Sequence, residues 1–344
     1  MLALRLLLVV LWTLLVVSVR RLFGRRGHPA WSWRLEVVAE VARYAAGLTV
    51  GVDPRRVRAA LRPATLPAGL AREVEVEEVA LGGLAAERHT PRGWSAGDPE
   101  LLWLHGGGYV LCAPSTHRDL VARVARAVEA RAWVVDYRLA PEHPIPAGLD
   151  DGHDAYRALL ARGIAAERLL LGGDSAGGGM CLALMVRLRD GGEPLPAAAV
   201  LLSPWVDLEA KGATIASHER YDFLCGPLLD QYARQYVGDG DRGDPVASPL
   251  YADLRGLPPL YVQTGGAEVL RAENEQLVER ARAAGVDATL DLRPGFFHVT
   301  QGFSRLLPEA RKAIWDLRPF ARQHLSSWRA SRRSATIAGT GGSA

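Results

Sequence analysis

The chain has 344 residues, 49% of them hydrophobic and 23% charged, with a formal net charge of +3. This is close to the average soluble globular protein, and the length supports a sizeable core without disulfides or metals as staples. All but two of the 41 basic residues are arginine, Lys211 and Lys312 being the exceptions, and no basic run is interleaved with aromatics, which argues against a nucleic-acid groove.

The first 19 residues, "MLALRLLLVVLWTLLVVSV", are apolar except for Arg5, Thr13 and Ser18, and "RRLFGRR" follows. The run is just long enough for a spanning helix. No small-residue cleavage site follows it. Residues 1–26 are therefore expected to be an uncleaved membrane anchor or an interfacial helix. Arg20, Arg21, Arg25 and Arg26 outnumber Arg5 and the amino terminus, so the positive-inside rule would keep the rest of the chain cytoplasmic. Residues 27–70 look helical and loosely amphipathic, most clearly in "WSWRLEVVAEVARYAAGL", and are expected to form part of a cap.

A main domain is expected over 71–326. "EVEVEEVAL" (73–81) alternates with period two and reads as an edge strand, with a second short strand in "LAAERHT". Apolar runs at 100–105, 131–137, 168–173, 198–204, 259–265 and 288–294 read as further strands. Helical stretches fall near 117–129, 151–161, 176–190, 271–284 and 306–325. Strands separated by helices predict an α/β fold: βαβ units around a mostly parallel eight-stranded sheet with both faces covered. From about 207 to 257 the rhythm lapses, as expected of a cap insertion over the sheet's C-terminal edge, where open α/β sheets bind ligands. Residues 327–344 are expected to be disordered.

The segment "LLLGGDSAGGGM" (169–180) contains Gly173-Asp174-Ser175-Ala176-Gly177, a G-x-S-x-G between an apolar strand and a helix. At such a turn a serine sits in a strained conformation above the sheet, with a helix N-terminus favouring negative charge. Upstream, His105-Gly106-Gly107-Gly108 follows a buried strand. It reads as an oxyanion loop whose backbone N–H groups must approach a substrate oxygen; Gly107, Gly108 and Ala176 are the expected donors. A phosphate loop fits poorly, because "HGGGYV" lacks both the G-x-G-x-x-G spacing and a lysine. His298, after the last strand, is the expected base for Ser175, while His105 is expected to hold the loop's shape. His117, His143, His153 and His218 carry no supporting pattern. Glu268, just past the preceding strand, is the expected acid, in the chain order Ser…acid…His. Glu273 is the runner-up but should already lie on the next helix, and Asp174 should point away from the serine.

Taken together and in this order, "HGGGYV", "DYRLAPEHPIPA", "GDSAGG", "LLSPWVDL" and "HVTQGF" resemble the hormone-sensitive-lipase-like family of α/β-hydrolase esterases over roughly residues 75–325. The resemblance implies an α/β-hydrolase fold, a helical cap, carboxylic-ester hydrolysis and no cofactor. The family commonly places an aspartate in a D-P-L pattern where this chain has Glu268 in "AEVL", a version that some relatives resemble. The apolar N-terminus resembles the anchored animal members, which face the lumen and so imply the opposite orientation to the charge rule.

The expected activity is that of a serine carboxylesterase acting on short to medium acyl chains through an acyl-enzyme. Amide or N-acyl deacetylation with the same triad is the alternative enzyme reading. A non-catalytic receptor for a small ligand is the alternative of another class. Asp150, Asp151, His153 and Asp154 crowd together, but neighbours at a helix start converge poorly on one ion, so no metal is expected. Cys112, Cys181 and Cys225 form neither a disulfide framework nor a metal pattern and read as small buried hydrophobes.

Overall fold

The computed structural model describes residues 2–325, with side chains from residue 8 onward. The tail expected to be disordered lies outside the described residues. Four helices precede the first strand: α1 (Leu2–Leu22), α2 (Trp33–Gly47), α3 (Pro54–Ala60) and α4 (Ala68–Ala71). The strands are β1 (Val74–Leu81), β2 (Leu84–Pro91), β3 (Glu100–Leu104), β4 (Arg131–Val135), β5 (Leu169–Asp174), β6 (Ala198–Leu202), β7 (Leu260–Gly265) and β8 (Ala288–Arg293). Among and after them run α5 (Arg118–Val128), α6 (Ala147–Ala161), α7 (Ala176–Asp190), α8 (Thr214–His218), α9 (Gly226–Val237), α10 (Arg271–Ala283), α11 (Pro308–Trp315) and α12 (Arg318–His324).

The eight strands form one sheet in the order β1-β2-β4-β3-β5-β6-β7-β8. β2 is antiparallel to both β1 and β4, and the remaining pairs are parallel. Successive residues of a strand point to opposite faces, and both faces are dry. Leu102 and Leu104 pack with Leu149 and Tyr156 of α6 and with Leu182 and Met185 of α7. Leu101 and Trp103 pack on the other side with Leu120 and Val124 of α5 and Phe320 of α12. Such two-sided burial is why the central strands read as continuous apolar runs.

Three expectations about elements need correction. The helix expected over 306–325 is broken into α11 and α12, with Pro319, which has no N–H to give, in the first turn of the second. Helix α6 begins at Ala147, earlier than expected. Cys181 is buried, but Cys112 and Cys225 are only half-buried.

Among the described residues no helix is long and apolar enough to cross a membrane, and the expected anchor lies partly outside the residues whose side chains are described. The last turns of α1 are packed against α2. The buried Glu36 carboxylate accepts from Arg20 and Arg21, each at 2.8 Å, and from Gly27 N at 3.0 Å. Trp33 Nε1 donates to Ser18 Oγ at 3.1 Å. Ser32 caps α2 by accepting from Leu35 N.

The N-terminal helices and the 207–257 segment are joined by hydrogen bonds. Arg43 donates to Arg220 O, Gly51 N to Gln231 Oε1, and Gln231 Nε2 to Val52 O. They meet over the C-terminal ends of the strands, where the loops after β3, β5, β6, β7 and β8 gather.

Candidate active site

Sheet register brings the site together. Leu104 of β3 pairs with Gly173 of β5, so the glycine loop emerges beside the serine turn. Asp174 pairs with Leu202 of β6, which places Ser203 next to that turn. Ser175 adopts φ 53°, ψ −124°, a conformation that costs a side-chain-bearing residue about 1–3 kcal/mol. The surrounding bonds hold it there: Ser175 N donates to Leu202 O, and Ser175 O accepts from Gly179 N and Trp205 N. A Cβ at Gly177 would overlap the Leu104 carbonyl, so the turn closes only with glycine at that position.

His298, in the turn after β8, reaches the serine, with Nε2 2.8 Å from Ser175 Oγ. Burial lowers its pKa to about 3, so the ring is neutral and Nε2 is free to accept the hydroxyl proton. The glycine loop forms the opposite wall. Gly107 has φ +122°, and a Cβ there would collide with Leu111 O. Gly107, Gly108, Ser175 and His298 line one cavity of about 280 Å³, completed mainly by Leu224, Leu228, Leu229, Tyr232, Phe223 and Phe303. Ala176 heads α7, so its N–H has no carbonyl one turn back to bond. Cys112 also lines the cavity, but burial pushes its thiol up to about 12, which keeps it protonated.

Glu268 is fully buried after β7, and it makes no hydrogen bond to His298. One oxygen accepts from Ser203 Oγ at 2.6 Å; the other accepts from Thr264 Oγ1 and from Asn274 Nδ2. His298 Nδ1 has no hydrogen-bond partner among the described residues. Ser203 bridges the gap, because its Oγ also accepts from Val299 N at 3.3 Å. Burial raises Glu268 to about 7. Glu273 lies on α10 as expected and accepts from Val206 N; burial raises it well above the ordinary range.

Asp174 points away from the serine, as expected. It accepts from Trp103 Nε1 and Gly106 N and faces His117 Nε2 at 3.2 Å. Burial alone would raise this carboxyl, but His117 holds it below its usual value; burial alone would lower His117, but Asp174 raises it. The Gly106 N–H bond to Asp174 ties the glycine loop to the serine turn. His105 stacks on Tyr137 with ring centroids 4.3 Å apart, and its Nδ1 lies 2.8 Å from Gly106 O. Burial, then His117, lowers it to about 3.

Sequence reasoning missed three residues, His117, Ser203 and Asp222. Asp222 is buried in the cap segment and accepts from Phe223 N, Val269 N and His298 N at 2.7, 2.9 and 3.2 Å, and from Leu224 N. It therefore ties the loop of Glu268 to the loop of His298. Burial, then the charge of Glu268, pushes it up to about 8. The available signal was a carboxylate between two aromatics in "YDF", which a packed cap could bury only with several donors. The acidic cluster of α6 is dispersed: Asp150 pairs with Arg187, Asp151 with Arg138, and His153 with Glu193.

A serine on a strained strand-to-helix turn, a histidine on its hydroxyl and a glycine loop beside it, all at the C-terminal edge of a parallel sheet, define a serine hydrolase of the α/β type. A family model described as "alpha/beta hydrolase fold" matches residues 101–302. An acetyl-hydrolase of Streptomyces hygroscopicus is 42% identical over 215 residues, 62% of this chain and 72% of that protein. An esterase of Acinetobacter venetianus is 34% identical over 251 residues, covering 72% and 82%. Among solved structures, an esterase from the bacterial hormone-sensitive lipase family superposes with a TM-score of 0.78 at 40% identity, covering 86% of this chain and 99% of that one. The esterase EstE5, soaked with p-nitrophenyl butyrate, gives 0.80 at 36%, covering 86% and 100%. The chain belongs to the α/β-hydrolase family, in its hormone-sensitive-lipase-like branch.

Proposed function

We propose that this protein is a serine carboxylesterase with Ser175 as nucleophile, His298 as base and Glu268 as the acid behind it. The observation that carries this reading is the 2.8 Å contact between Ser175 Oγ and His298 Nε2 on the strained turn. His298 takes the hydroxyl proton as Oγ adds to the ester carbonyl. The new oxyanion accepts from the N–H groups of Gly107, Gly108 and Ala176, each worth about 2.7–4 kcal/mol in the transition state. The tetrahedral intermediate expels the alcohol, protonated by His298, and leaves an acyl-enzyme. Water, deprotonated by the same ring, then releases the acid and restores Ser175.

The cavity of about 280 Å³ beside Ser175 supports short to medium acyl chains at this position. The reading includes contact of α1 with a lipid surface. Leu8, Leu11, Trp12, Leu15, Val19 and Leu22 are exposed at helical spacing on one stripe, and exposed Arg25 and Arg26 follow.

The test is turnover of p-nitrophenyl acetate and butyrate by the full chain and by Ser175→Ala. The variant should lose on the order of 10⁶ in kcat. Equal rates for the two proteins would overturn the assignment, and a folded but inert wild type would overturn the esterase reading.

A further inference from the structure

Phe223 and Phe303, whose ring centroids lie 6.5 Å apart edge to face, line the cavity that holds Ser175 and His298. They also line a second cavity of about 420 Å³ on their far side. Among the described residues the rest of that cavity is Val10 of α1, Leu306, and the Val37, Val38, Val41, Ala42 and Ala45 face of α2, with no charged or hydrogen-bonding side chain. The two rings are thus a wall shared by the two cavities.

We infer that this outer cavity is a distal acyl-chain subsite, so that a long-chain fatty acyl ester lays its carbonyl at Ser175 and its tail past Phe223 and Phe303 into the groove between α1 and α2. The inference rests on the Ser175 esterase reading. A lining without donors or acceptors can reward only a ligand whose far end has none, which selects an alkyl tail over a peptide, a sugar or a phosphate. The catalytic cavity lies at the small end of the usual ligand range of about 300–1,000 Å³. A long chain therefore needs a second room, and this one borders the shared wall. Each methylene buried there should raise affinity about fourfold.

The test uses the full chain with p-nitrophenyl butyrate and hexadecanoate. Ala42→Trp fills the outer cavity, and Ala42 is absent from the lining of the catalytic one. It should lower kcat/KM for hexadecanoate by about tenfold or more and leave butyrate within about twofold. Phe303→Ala, which opens the wall, should raise the ratio of long-chain to short-chain turnover. A folded Ala42→Trp that hydrolyses butyrate normally and keeps the wild-type chain-length profile would overturn the inference and leave the esterase reading intact. If Ala42→Trp fails to fold, Val41→Phe replaces it with the same expected outcomes. Inactivity of the wild type on both esters would strike the esterase reading instead. Binding of spin-labelled hexadecanoate to Ser175→Ala, with and without Ala42→Trp, then decides the groove: loss of binding on filling supports it, and unchanged binding overturns it.

Discussion

His298 and Glu268 are displaced by burial in opposite directions, the ring down to about 3 and the carboxyl up to about 7. The ring is a neutral base throughout the physiological range. In the proposed mechanism the imidazolium formed during turnover is answered by Glu268, which reaches its loop through Ser203 rather than by a direct bond. Protonated Glu268 cannot do so, so kcat/KM should rise with pH through a limb near 7. Glu268→Gln should remove the limb and lower turnover by on the order of 10⁴, the cost elsewhere of a neutral group in this role. A pH–rate profile with its limb at an ordinary carboxylate value would contradict the assignment. For stability the signs differ. The raised pKa of Glu268 makes a contribution that is full below about 4.5 and lost as pH rises through 7, whereas the depressed His298 makes one that is full above about 6.5 and lost as pH falls through 3. At this scale the sequence revealed only part of the site. Ser175 and His298 were legible because a motif or a chain position marks each. Ser203, Asp222 and His117 were not, because each is a single polar residue whose partners lie 47–96 residues away, and no periodicity records such a pairing.

Among the elements, all eight strands were legible from apolar runs and alternation, since burial on both faces makes β3 to β7 mostly apolar. The ends were less so. Helix α6 and the break before α12 depend on local backbone demands at Pro146 and Pro319. In helix α1 the described apolar residues serve two purposes. Val17 packs inward and Val10 faces the outer cavity, while Leu11, Trp12 and Leu15 face out. Vesicles with anionic lipid should sediment the protein, and Trp12→Asp with Leu15→Asp should abolish this without changing butyrate turnover. Vesicles of neutral lipid should bind more weakly, since Arg25 and Arg26 then lose their counter-charges. Failure of anionic vesicles to bind would remove the lipid contact from the proposed function.

On the scale of the whole molecule, one cap carboxylate, Asp222, reaches two loops of the sheet. Asp222→Ala leaves the backbone N–H groups of Val269 and His298 without their acceptor and frees two loops that each carry a reacting or supporting side chain. The expected result is a fall in kcat of about tenfold or more with little change in KM, and partial recovery in Asp222→Asn, which retains one acceptor oxygen. A change in KM alone would assign Asp222 to substrate binding. The geometry has a further effect on how an ester gets in. Lifting the cap would withdraw Asp222 from both loops at once, so an open molecule is a disarmed one. The lid carries its own safety catch: water that floods an opened site meets a serine whose histidine has lost its hold.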